Sequence, residues 1–183
     1  SYFGKAIDSS FVFEHLAIAK SPVYEEYINK YDVIYIDFSR LPENCQTYEE
    51  YINRIKTGIK EDLLEEFSEL ELKEEMSLWD ILAKIFQKTN RKFMFIMDEW
   101  DAVFHMPFIS QKERQEYLLF LKNLLKDQVY VELAYMTGIL PIAKYSAASE
   151  LNMFVEYNMA TRERFSSYFG FSEEEVDKLF QIY

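Results

Sequence analysis

Phe93-Met94-Phe95-Ile96-Met97 runs directly into Asp98-Glu99, and this junction constrains the chain more than any other stretch. Five consecutive apolar residues offer no polar face to water. They read as a short strand of a parallel sheet whose two faces are both covered by helices. The two acids then put a pair of carboxylates where the strand leaves the core. Val33-Ile34-Tyr35-Ile36-Asp37-Phe38 has the same character, and Val129 to Thr137 is apolar apart from Glu132. Phe154-Val155-Glu156-Tyr157 is a weaker fourth strand candidate.

Helical periodicity fills the intervals. Tyr48, Tyr51, Ile52, Ile55, Ile59, Leu63 and Phe67 recur at steps of three and four, which predicts an amphipathic helix over Thr47 to Phe67. Ser77 opens the next helix as its cap, with Asp80 favouring the positive end. Ser110 with Glu113 predicts a capping box before a helix through Leu125, and Ser172 with Glu175 repeats it before Val176-Asp177-Lys178-Leu179-Phe180. Strands alternating with helices predict an α/β fold built on a parallel sheet. No Gly/Ser/Pro-rich linker and no repeat divides residues 1–183, so they read as one domain.

Composition excludes several functions. At 49% hydrophobic residues the chain is far too apolar for a disordered segment, and 183 residues suffice to bury about 70% of the unfolded surface. No apolar run approaches the ~18 residues of a membrane span, and the start carries no signal-peptide pattern. One cysteine, Cys45, permits no internal disulfide and suits a cytoplasmic setting. Twenty Lys and Arg against thirty-two Asp and Glu give a formal charge of −12, which repels phosphate backbones and argues against direct nucleic-acid binding. Two histidines and one cysteine make no zinc site. His15 sits among apolar residues, whereas His105 follows the acidic junction closely enough to approach it.

The carboxyl edge of an open α/β sheet is where ligands bind, so Asp98 and Glu99 are the first candidates for chemistry. Asp98 suits a magnesium ion, directly or through its water. Glu99 suits the orientation and deprotonation of an attacking water in phosphoryl transfer. Acids also end strands simply because they reach solvent, so both readings stand. Asp101 either orients a neighbouring group or caps the turn that follows it. Thr137 leaves the next strand with a hydroxyl that could contact a γ-phosphate or its water, though Thr is also simply a favoured strand residue. A metal-nuclease site of Asp98, Glu99 and Lys92 is a weaker alternative, because no E-x-K accompanies it. No G-x-x-x-x-G-K-[ST] occurs; Gly4-Lys5, followed by Ala6, reads as a chance dipeptide.

Asp98-Glu99-Trp100-Asp101, Thr137-Gly138-Ile139-Leu140-Pro141-Ile142-Ala143-Lys144-Tyr145, Leu151-Asn152-Met153-Phe154 and Tyr168-Phe169-Gly170-Phe171-Ser172-Glu173-Glu174-Glu175-Val176 together resemble the AAA-ATPase-like family. That family consists of predicted bacterial ATPases, often fused to a nuclease-like domain of the PD-(D/E)xK type. The resemblance implies a P-loop NTPase sheet of the ASCE/AAA-like type and, for the parent protein, Mg²⁺ and ATP, with neither expected on this chain alone. It implies Walker B positions at Asp98 for the metal and Glu99 for catalysis. It also implies a sensor-like Thr137 and a nucleotide-binding Lys144 on the helix that follows. Trp100 stands where the family commonly has Tyr. The Walker A strand and loop, expected just before Ser1, do not occur, so the chain reads as a truncated, inactive piece lacking its first strand. Tyr2-Phe3 through Leu16 then read as the tail of the helix after Walker A and its following turn. Alternatively, the chain is a degenerate regulatory or interaction module. Loss of the first strand predicts a bare edge on the third strand seen here, and with it a homo-oligomer or a displaced Phe154–Tyr157.

Overall fold

The computed structural model describes residues 1–41, 45–142, 151–158, 171 and 173–182. Three strands, β1 (Asp32–Asp37), β2 (Phe93–Asp98) and β3 (Val131–Met136), form one parallel sheet in the order β1-β2-β3. Asp32 pairs with Phe93 and Asp37 with Asp98, so β1 and β2 run in step from end to end. On the other side, Phe93 faces Val131 while Met94 faces Leu133, and Glu132 is the extra residue of the resulting bulge.

Helices α1 (Tyr48–Glu66) and α2 (Leu78–Thr89) lie between β1 and β2, and α3 (Gln111–Leu125) lies between β2 and β3. Their starts follow from side chains that satisfy the unpaired first-turn N–H groups. The Thr47 hydroxyl accepts from the Glu50 amide and the Glu50 carboxylate accepts in return, and Ser110 with Glu113 forms the same reciprocal pair. Ser77 caps α2 by accepting from the Asp80 amide at 3.2 Å. Asn90, in the left-handed conformation, ends α2.

The core lies on one face of the sheet. Ile36 and Phe38 from the first strand and its continuation, with Phe93, Phe95 and Met97 from β2, are buried against Tyr51, Ile81, Leu82, Ile85, Tyr117 and Leu121 of the helices. The Tyr51 hydroxyl donates to the Phe38 carbonyl at 2.7 Å, and Tyr117 packs edge-on to the Phe38 ring. The opposite face departs from expectation. Register and the two-residue alternation place Tyr35, Ile96 and Tyr135 side by side there, next to Leu133. Tyr35 is 59% exposed, Tyr135 51% and Leu133 45%. Among the described residues this face is open at Tyr35, Leu133 and Tyr135, although Met94 on it is buried and every strand reads as apolar.

Residues 1–31 differ from expectation as well. Only Ser10–Phe13 and Tyr24–Tyr27 form α-helical turns, and the chain before them lies beside Tyr31, with Lys5 N–H on the Tyr31 carbonyl and Tyr31 N–H on the Phe3 carbonyl. No helix tail spans Tyr2 to Leu16. The chain falls into two compact units, Ser1–Leu151 and Asn152–Tyr183. In the second, helix α4 (Glu173–Ile182) forms as its periodicity predicts, while Ser172 falls outside the described residues. Phe154–Tyr157 is no strand: it has no ladder partner and Val155 is 74% exposed. A short extended segment is not stable without one.

The amino edge of the sheet is tied by ions. Asp32 accepts from Arg91 Nε at 2.8 Å and from Lys5 Nζ at 3.0 Å, while the Arg91 guanidinium lies 4.3 Å from the centre of the Phe67 ring. Burial alone would raise the Asp32 pKa, but hydrogen bonds from Arg91 and Lys5 hold it below the ordinary 3.8. A carboxyl depressed on folding contributes stability above its unfolded pKa and loses it as pH falls. Arg91→Met is expected to cost about 2 kcal/mol at pH 7, less than the ~3–5 of a fully buried pair because Arg91 is partly exposed. In urea titrations at pH 7 and pH 3, the gap between wild type and variant should shrink at the lower pH as Asp32 takes up a proton.

Candidate functional site

The β2–β3 ladder continues beyond both strands and thereby builds the site. Thr137 N–H donates to the Met97 carbonyl at 2.9 Å, Trp100 N–H donates to the Thr137 carbonyl at 3.0 Å, and Phe38 N–H donates to the Asp98 carbonyl at 3.0 Å. Three chain segments thus leave the sheet in step at its carboxyl edge. Asp98 is central, and its two oxygens are held from opposite sides. The Thr137 hydroxyl donates to Oδ1, and the Tyr35 hydroxyl donates to Oδ2 at 3.4 Å. Desolvation, followed by the charges of Asp98 and Asp37, raises the Tyr35 pKa, so the phenol stays a donor. Asp37 lies across from Asp98 in register, with its own Oδ1 accepting from the Ser39 hydroxyl at 2.6 Å and Oδ2 facing Arg40 Nε at 3.3 Å.

Glu99 follows with φ of 53°, in the left-handed region. Asn29, Asn90 and Asp127 share that region, which Asn and Asp visit easily; Glu71, with φ of 50°, is the other glutamate that adopts it. Such a residue costs on the order of 1–3 kcal/mol and persists only where its surroundings fix it. Here those surroundings are the Trp100–Thr137 bond on one side and the Ala102 N–H on the Glu99 carbonyl, at 2.9 Å, on the other. Among the described residues no hydrogen bond or ion pair engages the Glu99 carboxylate.

The next two residues are anchors. Trp100 is buried, its ring 5.5 Å from that of Phe104, and its carbonyl accepts from the fully buried Tyr117 hydroxyl at 2.7 Å. Asp101 is buried at 1% exposure. It does not cap the turn Ala102–His105 that follows it, which corrects that alternative. Its Oδ2 instead reaches the loop after β3, accepting from Ile139 N–H at 3.1 Å and Leu140 N–H at 2.7 Å. Gly138 fits between these contacts because it has no side chain: a Cβ there would lie 2.5 Å from Asp101 Oδ1 and closer still to the Trp100 ring.

The structure therefore brings Asp98, Glu99 and Thr137 to one edge, while Lys144 lies outside the described residues. Sequence reading passed over Tyr35 and Asp37; the signal available was that Asp37 closes an apolar run as Asp98 does. The nuclease alternative fails on geometry. Lys92 precedes β2 and pairs with Glu132 at 3.2 Å, a whole strand (about 20 Å) from Asp98. Gly4-Lys5 is at that same amino edge, on Asp32. His105 and His15 are exposed, and neither bonds to Asp98 or Thr137. Among the described residues no three His, Cys, Asp or Glu side chains group as a metal cage. Magnesium does not require one, since it keeps several waters and binds through one or two carboxylates and the phosphates of its substrate.

A family model described as AAA-ATPase_like, Predicted AAA-ATPase, matches residues 1–148. No curated protein and no solved structure matches the chain.

Two substitutions probe the geometry. Gly138→Ala should destabilise the fold by about 1–3 kcal/mol by forcing Trp100 or Asp101 aside, and Trp100 emission followed through a urea titration would register both effects. Glu99→Gly should do the reverse, adding on the order of 1 kcal/mol by relieving the left-handed backbone. An unchanged or lower midpoint in denaturant would contradict the strain.

Proposed function

This chain belongs to the AAA-ATPase-like family, and on that premise we propose that it carries the hydrolytic half of a P-loop ATPase site. The observation that carries the reading is the hydroxyl of Thr137 on the carboxylate of Asp98 at the carboxyl edge of a parallel sheet, directly before a strained Glu99. In this reading Asp98 holds Mg²⁺ with water completing its shell. When bound, the ion neutralises charge on the phosphate oxygens. Glu99, with no other partner among the described residues, orients the attacking water and accepts its proton. Thr137, fixed by its own N–H on Met97 and its carbonyl on Trp100, donates to Asp98 and meets the γ-phosphate. Tyr35 holds the second oxygen of Asp98 and keeps the carboxylate from turning. Lys144 is the nucleotide-binding cation of the following segment. The 183 residues contain no phosphate-binding loop, so the reading requires that cradle from outside them and assigns no turnover to this chain by itself.

A second reading, a regulatory or interaction module without ATPase activity, is favoured by the open sheet face of Tyr35, Leu133 and Tyr135. In it β3, which has one strand neighbour among the described residues, pairs with a second copy of the chain. In both readings the segment works in the cytoplasm and leaves nucleic acid unbound. No helix among the described residues is long and apolar enough to cross a membrane.

The deciding experiment uses the full-length protein. Glu99→Gln is expected to lower ATP turnover by about 10²–10⁴-fold while nucleotide affinity stays within about twofold, because only the general base is lost. Asp98→Ala is expected to abolish metal-dependent binding in a calorimetric titration. Turnover unaffected by Glu99→Gln sinks the first reading, and absence of any turnover in wild type favours the second.

A further inference from the structure

We infer that Asp101 is the positioning residue of this site: one buried carboxylate fixes the loop after β3 and thereby keeps the Thr137 hydroxyl on Asp98. The inference rests on the reading of Asp98 and Thr137 as a phosphate-transfer pair and adds to it a residue that touches neither substrate nor metal.

Four observations converge on it. Oδ2 of Asp101 accepts two consecutive backbone N–H groups, from Ile139 and Leu140, thirty-eight and thirty-nine positions away. Those amides begin two residues after Thr137 and stop at Pro141, which has no N–H, so no ladder bond takes over from the carboxylate there. Second, Asp101 leaves its own helical turn uncapped, so the carboxylate is committed to the distant loop. Third, Gly138 is pressed against both Trp100 and Asp101, which allows the loop one close path. Fourth, the Trp100 N–H grips the Thr137 carbonyl from the other side. Thr137 is thus held between Trp100 before it and the Asp101 anchor after it, and its hydroxyl is left facing Asp98. Among the described residues Oδ1 of Asp101 is buried without a partner, so the bonds of the other oxygen are what this carboxylate gains in the core.

The test compares Asp101→Leu and Asp101→Asn in this chain by NMR. Asp101→Leu removes the acceptor and is expected to speed amide exchange at Ile139 and Leu140 by about tenfold or more, leaving Phe95 and Met97 in β2 unchanged. The Asp98 carboxyl ¹³C resonance should move to the position it takes in Thr137→Val, where no hydroxyl reaches it. Asp101→Asn keeps one acceptor oxygen and should restore both readouts most of the way. Unchanged exchange at Ile139 and Leu140, or an Asp98 resonance that ignores the loss of Asp101, overturns the inference. So does a loss of protection spread equally through β2 in both variants, or a failure of both to fold, since Asp101 would then serve the fold at large. Titration of Mn²⁺ together with ATP into the full-length protein separates the underlying reading, since neither is expected on this chain alone. Absence of paramagnetic broadening at Asp98 removes the metal role of Asp98 and leaves the exchange result on Asp101 to stand by itself.

Discussion

Everything in the first unit depends on β2 having a parallel partner on each side. A parallel strand places no hairpin next to its neighbour, so each pairing needs a crossover, and the crossovers here are α1 with α2 on one side and α3 on the other. Phe95 and Met97 reach zero exposure on the same face of the sheet as Ile36, and at its end Tyr51 and Tyr117 of the helices meet Phe38. The same pairing fixes the site. In-step register of β1 with β2 sets Asp37 against Asp98, and the continued ladder from Met97 to Thr137 carries a hydroxyl to the same point. Side chains at strand ends need no separate scaffold to be brought together in this way.

The elements legible in the sequence are those whose signals are local. Capping side chains bond within three residues, so Thr47, Ser77 and Ser110 mark helix starts that the structure reproduces almost to the residue. The strands at Val33, Phe93 and Val131 stand out because no helix stripe fits them. The exposure of Tyr35, Leu133 and Tyr135 among the described residues is not legible, because these residues are apolar whether or not something covers them. Phe154–Tyr157 misleads for a related reason: β-propensity describes fit to a half-buried surface, and that surface is missing there. Within the site, Asp98 and Glu99 announce themselves by ending an apolar run. Asp101 does not, since its partners at Ile139 and Leu140 lie on another segment and are backbone groups, which have no residue type to read.

The two edges of the sheet divide stability from chemistry. At the amino edge Asp32 is neutralised by Arg91 and Lys5, and a ring of Phe67 backs the guanidinium. There each charge has its counterpart, and the arrangement has no reason to change. At the carboxyl edge Asp37, Asp98 and Glu99 are adjacent acids, and the groups that restrain Asp98 are hydroxyls, not cations. A carboxylate held by neutral donors keeps its full charge and its free lone pairs, which is the condition for recruiting a cation from solution. Strain lies at this edge too, in the left-handed Glu99, where a glycine would sit more comfortably. Asp37 has Arg40 as its counterpart, but among the described residues Asp98 and Glu99 have no cation, and a fold optimised for stability alone gains nothing from that or from a forced backbone beside them. Their coincidence next to Thr137 contrasts with the opposite edge, where Asp32, Arg91 and Lys5 supply rigidity.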